Sequence, residues 1–134
     1  MAMRAQMVTL VPIRNMSRGI RFYTKVLGAK VNSRGTGPMK NFWASLQLGG
    51  TEFWLVAPSK REKRTLAYTT LVVKNIRSAV KRLARARVKF TRPERMGPET
   101  RVEGPIAFES FGAAAFFKDT EGNLWMLWQS ASGM

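Results

Sequence analysis

The chain nearly repeats itself, and that constrains its fold more than any other feature. Val11-Pro12-Ile13-Arg14-Asn15-Met16 aligns with Leu71-Val72-Val73-Lys74-Asn75-Ile76 at an offset of 60. Further on, Gly50-Thr51-Glu52-Phe53-Trp54-Leu55 aligns with Gly122-Asn123-Leu124-Trp125-Met126-Leu127 at an offset of 72. The step from 60 to 72 places an insertion of 12 residues in the second copy, and the Pro-, Gly-, Arg- and Glu-rich stretch Thr91 to Pro105 is the natural position for it. Self-similarity across half a chain points to duplication. Half of 134 residues is too little to cover a sheet face alone, so two copies are expected to make one domain.

Each copy reads β-α-β-β-β. Gln6 to Ile13 has the β-branched and apolar content of a strand. Asn15 and Ser17 offer N-cap chemistry to a helix from about Arg18 to Val26, whose inner stripe is Met16, Ile20, Tyr23 and Leu27. Gly28 follows as a C-terminal stop. Strands are expected at Ala29–Arg34, Phe42–Leu48 and Thr51–Ala57, punctuated by Gly35-Thr36-Gly37-Pro38 and Gly49-Gly50. In the second copy Leu66 to Val73 is a strand, and Asn75 caps a helix with Ile76, Ala79, Val80 and Leu83 inward. After a long polar segment come strands Gly112–Lys118 and Leu124–Gln129 around the turn Asp119-Thr120-Glu121-Gly122-Asn123. Repeat one therefore covers about residues 6–58, a connector 59–65, and repeat two about 66–130 of a single domain, 1–134.

What is missing narrows the chemistry. There is no cysteine and no histidine, which removes disulfides, the usual zinc sites and Ser-His or Cys-His nucleophiles. Acid–base work by Asp, Glu, Lys or Tyr remains open. No apolar run approaches the roughly 20 residues that span a bilayer, and Met1 to Met7 is too polar for a signal-peptide core. A cytoplasmic location is the default expectation.

Ile20-Arg21-Phe22-Tyr23-Thr24-Lys25-Val26-Leu27-Gly28 resembles the first helix of the vicinal-oxygen-chelate superfamily, which includes glyoxalase I, bleomycin-resistance proteins and extradiol dioxygenases. Phe117-Lys118-Asp119-Thr120-Glu121-Gly122-Asn123 is similar to that superfamily's Asp-Pro-x-Gly-Asn turn, with Thr120 in place of the usual proline. The resemblance spans nearly the whole chain. It implies an α+β fold in which two βαβββ repeats form a curved, partly open mixed sheet with helices on the convex outer face. It also implies a homodimer, since relatives often complete their cavity by pairing. Fold alone does not fix function.

In members of the superfamily that use a metal, four ligands, typically His or Gln and Glu, project from four strands into the concave side. The matching positions here are Val8, Trp54, Tyr68 and Met126, and the repeat relates Val8 to Tyr68 and Trp54 to Met126. Valine and tryptophan offer no lone pair, methionine suits soft copper(I), and one tyrosine is not a site. The resemblance therefore implies no metal ligands, no cofactor and no catalytic residue at these positions. It favours a ligand-sequestering, drug-resistance-type protein over a glyoxalase-like lyase or dioxygenase.

Alternation along the strands brings Leu10, Glu52, Val56, Thr70, Val72, Leu124 and Trp128 to the same side as those four. The candidate ligand-binding set is Val8, Leu10, Glu52, Trp54, Tyr68, Thr70, Met126 and Trp128, and its aromatic content suits a small aromatic or apolar molecule held by stacking. Trp43 is a further candidate of ambiguous facing. Trp125 and Leu127 point the other way, towards core. Glu52 and Glu109 are the candidate acids, and Asp119 and Glu121 belong to turn chemistry.

Lys and Arg total 23 against 8 acidic residues, a formal charge of +15. Arg14, Arg18, Arg21 and Lys25 run opposite the apolar stripe of the first helix, and Arg77, Lys81 and Arg85 do so on the second, with no glutamate interleaved along either helix. A third cluster, Lys60-Arg61-Glu62-Lys63-Arg64, lies in the connector. Such a surface attracts anions, so an anion or nucleic-acid binder is an alternative reading, though no nucleic-acid-binding motif accompanies it.

Overall fold

A computed structural model describes residues 3–58, 66–95 and 97–131. The connector, residues 59–65, lies outside them. The chain divides into two compact units, Met1–Ala67 and Tyr68–Met134.

In the first unit, strand β1 (Thr9–Pro12) leads to helix α1 (Met16–Arg21), which continues as a π-helical turn at Phe22–Val26. Strands β2 (Lys30–Arg34), β3 (Trp43–Leu48) and β4 (Thr51–Val56) follow, with a 3-10 turn at Gly37–Met39. The sheet order is β1-β4-β3-β2, with β1 parallel to β4 and the other pairs antiparallel. Asn15 caps α1 by accepting from the Arg18 amide at 3.0 Å, and the backbone turns at Gly28 with φ of 81°. The stripe expected for this helix packs inward. Met16, Tyr23 and Leu27 are buried, as are Val11, Ile13, Ala44, Leu46, Phe53 and Leu55 on the sheet face beneath. Tyr23 meets Phe53 edge-on at 5.4 Å between ring centroids. In this unit two boundaries differ from the sequence reading by two residues or more. The helix starts two residues early because Asn15, not Ser17, is its cap. The first strand starts only at Thr9, so Val8 precedes it.

The second unit repeats this topology with one addition. Strand β5 (Tyr68–Val72), helix α2 (Ile76–Arg85) and strands β6 (Arg101–Glu103), β7 (Ile106–Glu109), β8 (Gly112–Lys118) and β9 (Leu124–Ser130) give a sheet of order β5-β9-β8-β7-β6. Removing β6 leaves the order of the first sheet. The register repeats too: Leu10 pairs with Trp54, and the residues 60 and 72 positions on, Thr70 and Met126, pair with each other. The long polar segment after α2 therefore holds two strands. One completes the repeat, and the other is an added edge strand brought by the insertion. The added strand does not stand out in sequence, because Arg101-Val102-Glu103 is exposed at all three positions and gives no inside–outside contrast.

Asn75 caps α2 by accepting from the Ser78 amide at 3.0 Å, and Gln129 Oε1 accepts from the Ile76 amide at 2.7 Å. Ile76, Val80 and Leu83 are buried with Ala113, Ala115, Phe117, Trp125 and Leu127. Asp119 organises the β8–β9 turn. Its Oδ1 accepts from the Glu121 and Asn123 amides at 2.8 and 2.9 Å, and its Oδ2 accepts from Asn123 Nδ2 at 2.8 Å. The basic stripe of α2 is relieved after all, though not from its own helix: Arg77 makes a bidentate pair with Glu103 on β6, at 2.7 Å for the shorter arm. The Arg77 guanidinium also lies over the Phe108 ring. Among the described residues, no helix is long and apolar enough to cross a membrane.

Candidate functional site

Each sheet has one face under its helix and one face away from it. On the helix-free face of the first unit, cross-strand pairing aligns Leu10, Trp54, Ser45 and Ser33 in one row, and Pro12, Val56 and Trp43 in the next. Trp43, ambiguous from sequence, therefore shares the face of Trp54. Leu10 is 51% exposed and Trp54 40%, a large apolar area left open to solvent. Across β4, β3 and β2 on this face lies a depression of about 410 Å³ lined by Ser33, Trp43, Ser45, Glu52, Trp54 and Val56. A second depression of about 390 Å³, in the inserted segment of the second unit, is lined by Arg92, Pro93, Arg95, Val102 and Gly104 and offers no aromatic ring.

Glu52 is bound into the aromatic pocket. One carboxylate oxygen, Oε2, accepts from Ser45 Oγ at 2.6 Å and from the Trp54 indole Nε1 at 2.8 Å. The Ser45 bond, then the Trp54 bond, stabilises the charged form and holds Glu52 below the ordinary glutamate value of 4.5. A depressed carboxylate contributes its stabilisation above the unfolded-state pKa and loses it as pH falls through the folded-state value. The near-UV dichroism assigned to Trp54, by difference from Trp54→Phe, should therefore change with acid in a transition centred below pH 4.5. A transition centred above 4.5 would contradict this geometry.

The second unit places Tyr68, Thr70 and Val72 from β5 beside Leu124, Met126 and Trp128 from β9 on its own helix-free face. Tyr68 is 65% exposed. Trp128 stacks on Phe111 with centroids 5.9 Å apart, and its indole lies across Gly112. A Cβ at Gly112 would collide with that indole and stand 2.6 Å from the Gln129 carbonyl oxygen. Gly112→Ala should cost roughly 1–3 kcal/mol as overpacking and shift the tryptophan emission. Unchanged urea stability would show that Trp128 is not seated there. Glu109, the other candidate acid, accepts from the buried Thr100 hydroxyl, which in turn accepts from the Gly97 amide. That tie fixes the inserted loop, so Glu109 has a structural task.

Of the eight sequence candidates, Leu10, Glu52 and Trp54 share the open face of the first sheet, and Tyr68, Thr70, Met126 and Trp128 that of the second. Val8 is half-buried just ahead of β1. Sequence reasoning missed Ser45. The signal was present, since Ser45 stands two residues after Trp43 on one strand. As for a metal, Val8, Trp54 and Met126 supply no hard donor. Among the described residues no group of three or more His, Cys, Asp or Glu side chains gathers. The donors do not fit the superfamily's cation.

Residues 6–127 match the family model described as the Glyoxalase/Bleomycin resistance protein/Dioxygenase superfamily. The chain belongs to this superfamily. Its fold is similar to that of TnmS3, an antibiotic binding protein from Streptomyces sp. CB03234, at 20% identity and a TM-score of 0.69, covering 96% of this chain and 99% of that one. It is also similar to TioX from Micromonospora sp. ML1, at 16% identity and a TM-score of 0.65, covering 97% and 99%. A putative glyoxalase family protein from Bacillus anthracis matches at 13% identity and a TM-score of 0.68, covering 97% and 99%. No curated protein matches the chain. At these identities the superfamily likeness establishes the fold, and the pocket residues must carry the function.

Proposed function

We propose that this superfamily member binds a small planar or apolar molecule on the helix-free face of its first sheet, sequestering it without a metal and without turning it over. The observation that carries the reading is the open aromatic depression of Trp43, Trp54 and Val56, with Glu52 and Ser45 as its polar handles. Apolar walls with a few placed polar groups are the usual make-up of a ligand site. The fold likeness to an antibiotic binding protein supports the same reading. The helix-free face of the second unit, with Tyr68, Thr70, Met126 and Trp128, has matching chemistry and is proposed as a ligand-contacting face in its own right.

A thermal-shift and tryptophan-fluorescence screen of planar aromatic natural products tests this directly. Saturable binding with a raised melting temperature is the expected result. Elemental analysis of protein purified without affinity metal should find no stoichiometric divalent ion, and lactoylglutathione formation should be absent. A bound ion or turnover would favour the lyase or dioxygenase reading instead. The basic faces of α1 and α2 are proposed to bind nucleic acid only electrostatically. Affinity for DNA or RNA should then fall by orders of magnitude between about 50 and 200 mM salt. Homodimerisation, and with it a cytoplasmic location, stays part of the proposal. Sedimentation velocity tests the dimer.

A further inference from the structure

Glu52 is the one acidic residue in positions 3–58, against eight Lys and Arg in the same span. A lone carboxylate in so basic a segment would ordinarily find a cation. Among the described residues no Lys or Arg pairs with it. Instead it stands in the aromatic pocket, with both of its neighbours donating to a single oxygen, Oε2. No described residue donates to Oε1. Ser45, which anchors it, is only 5% exposed, and the Trp54 indole that completes the grip is itself a pocket wall. The carboxylate is thus held in one orientation, charged, beside two indole rings, with its second oxygen unused.

We infer that Glu52 Oε1 is the acceptor for a hydrogen-bond donor carried on the ligand's aromatic ring, so that the pocket selects ring systems bearing an O–H or N–H over the same rings without one. This rests on the binding reading above. Stacking on an indole accepts any planar ring, whereas a hydrogen bond to a charged acceptor is directional and about twice as strong as a neutral one. A ring whose hydroxyl is methylated keeps the stacking area and leaves Oε1 facing an ether oxygen. The long-range field of the basic helices does not decide between such neutral ligands, and it is screened beyond about 8 Å at physiological salt.

The probes are 2-naphthol and 2-methoxynaphthalene, titrated calorimetrically into the wild-type protein, Glu52→Gln and Glu52→Ala. The wild type should prefer 2-naphthol by about tenfold, the worth of one such bond. In both variants that preference, read as the ratio of the two affinities within each protein, should collapse to within about threefold. If the wild type binds both probes equally, the donor inference falls and the stacking pocket stands. If the preference persists in both variants, another residue makes the selection and the assignment to Glu52 is overturned. If neither probe binds the wild type, the inference and the binding reading fall together.

Discussion

Trp54→Ala should weaken binding of 2-methoxynaphthalene by about tenfold to a hundredfold while leaving the protein folded. The ring is 40% exposed on a sheet face with no helix above it, so its contacts to the rest of the chain are partial. Truncating such a residue costs the fold on the order of 1 kcal/mol. The ligand loses more, because stacking and desolvation against the indole are concentrated at that one wall and each 1.4 kcal/mol is tenfold in affinity. The same change unseats Glu52, which loses the 2.8 Å bond from the indole and keeps only that from Ser45. Calorimetric titration beside urea denaturation separates the two effects. A large stability loss with unchanged affinity would make Trp54 a packing residue.

Asp119→Ala should do the reverse and strike the fold. Asp119 is 7% exposed and Asn123 0%, and the aspartate accepts three hydrogen bonds that close the β8–β9 turn. Alanine leaves the amides of Glu121 and Asn123 and the Asn123 side chain without that acceptor. Buried donors left unpaired cost about 1–3 kcal/mol each, partly recovered by relaxation, so the net loss should be roughly 3 kcal/mol. That corresponds to a fall of roughly 10 °C in melting temperature for a chain of this length. Glu99→Ala, at an exposed loop position, should change stability by less than about 0.5 kcal/mol. A loss below about 1 kcal/mol for Asp119→Ala would mean that the turn does not depend on its aspartate.

The contrast between these two residues shows what was legible in the sequence. The turn around Asp119 and Asn123 could be read because its hydrogen bonds are local: a short polar side chain caps amides two and four residues along. The repeat could be read because the two β-α entries and the two last strands keep their spacing, and the register of β1 on β4 and of β5 on β9 follows from it. The helix entries at Asn15 and Asn75 were legible for the same reason of locality. The inserted strand β6 was not, since a fully exposed strand of three residues has no alternation to reveal it. Nor was the relief of the α2 charge, because Glu103 reaches Arg77 across 26 positions of sequence. At the candidate site, alternation put Glu52 and Trp54 on one face. The bond from Ser45 to Glu52 depends on the pairing of β3 with β4, which residue types alone do not give.

The binding claim is tested most directly by the tryptophan indole N–H signals in a nitrogen–proton correlation spectrum. The chain has four tryptophans, at 43, 54, 125 and 128, so the spectrum carries four assignable peaks. On titration with 2-methoxynaphthalene, the peaks of Trp43 and Trp54 should move saturably while that of Trp125, 3% exposed beneath the helix, stays fixed. A spectrum in which Trp43 and Trp54 do not move, whatever Trp125 does, would contradict a ligand pocket on the open face of the first sheet.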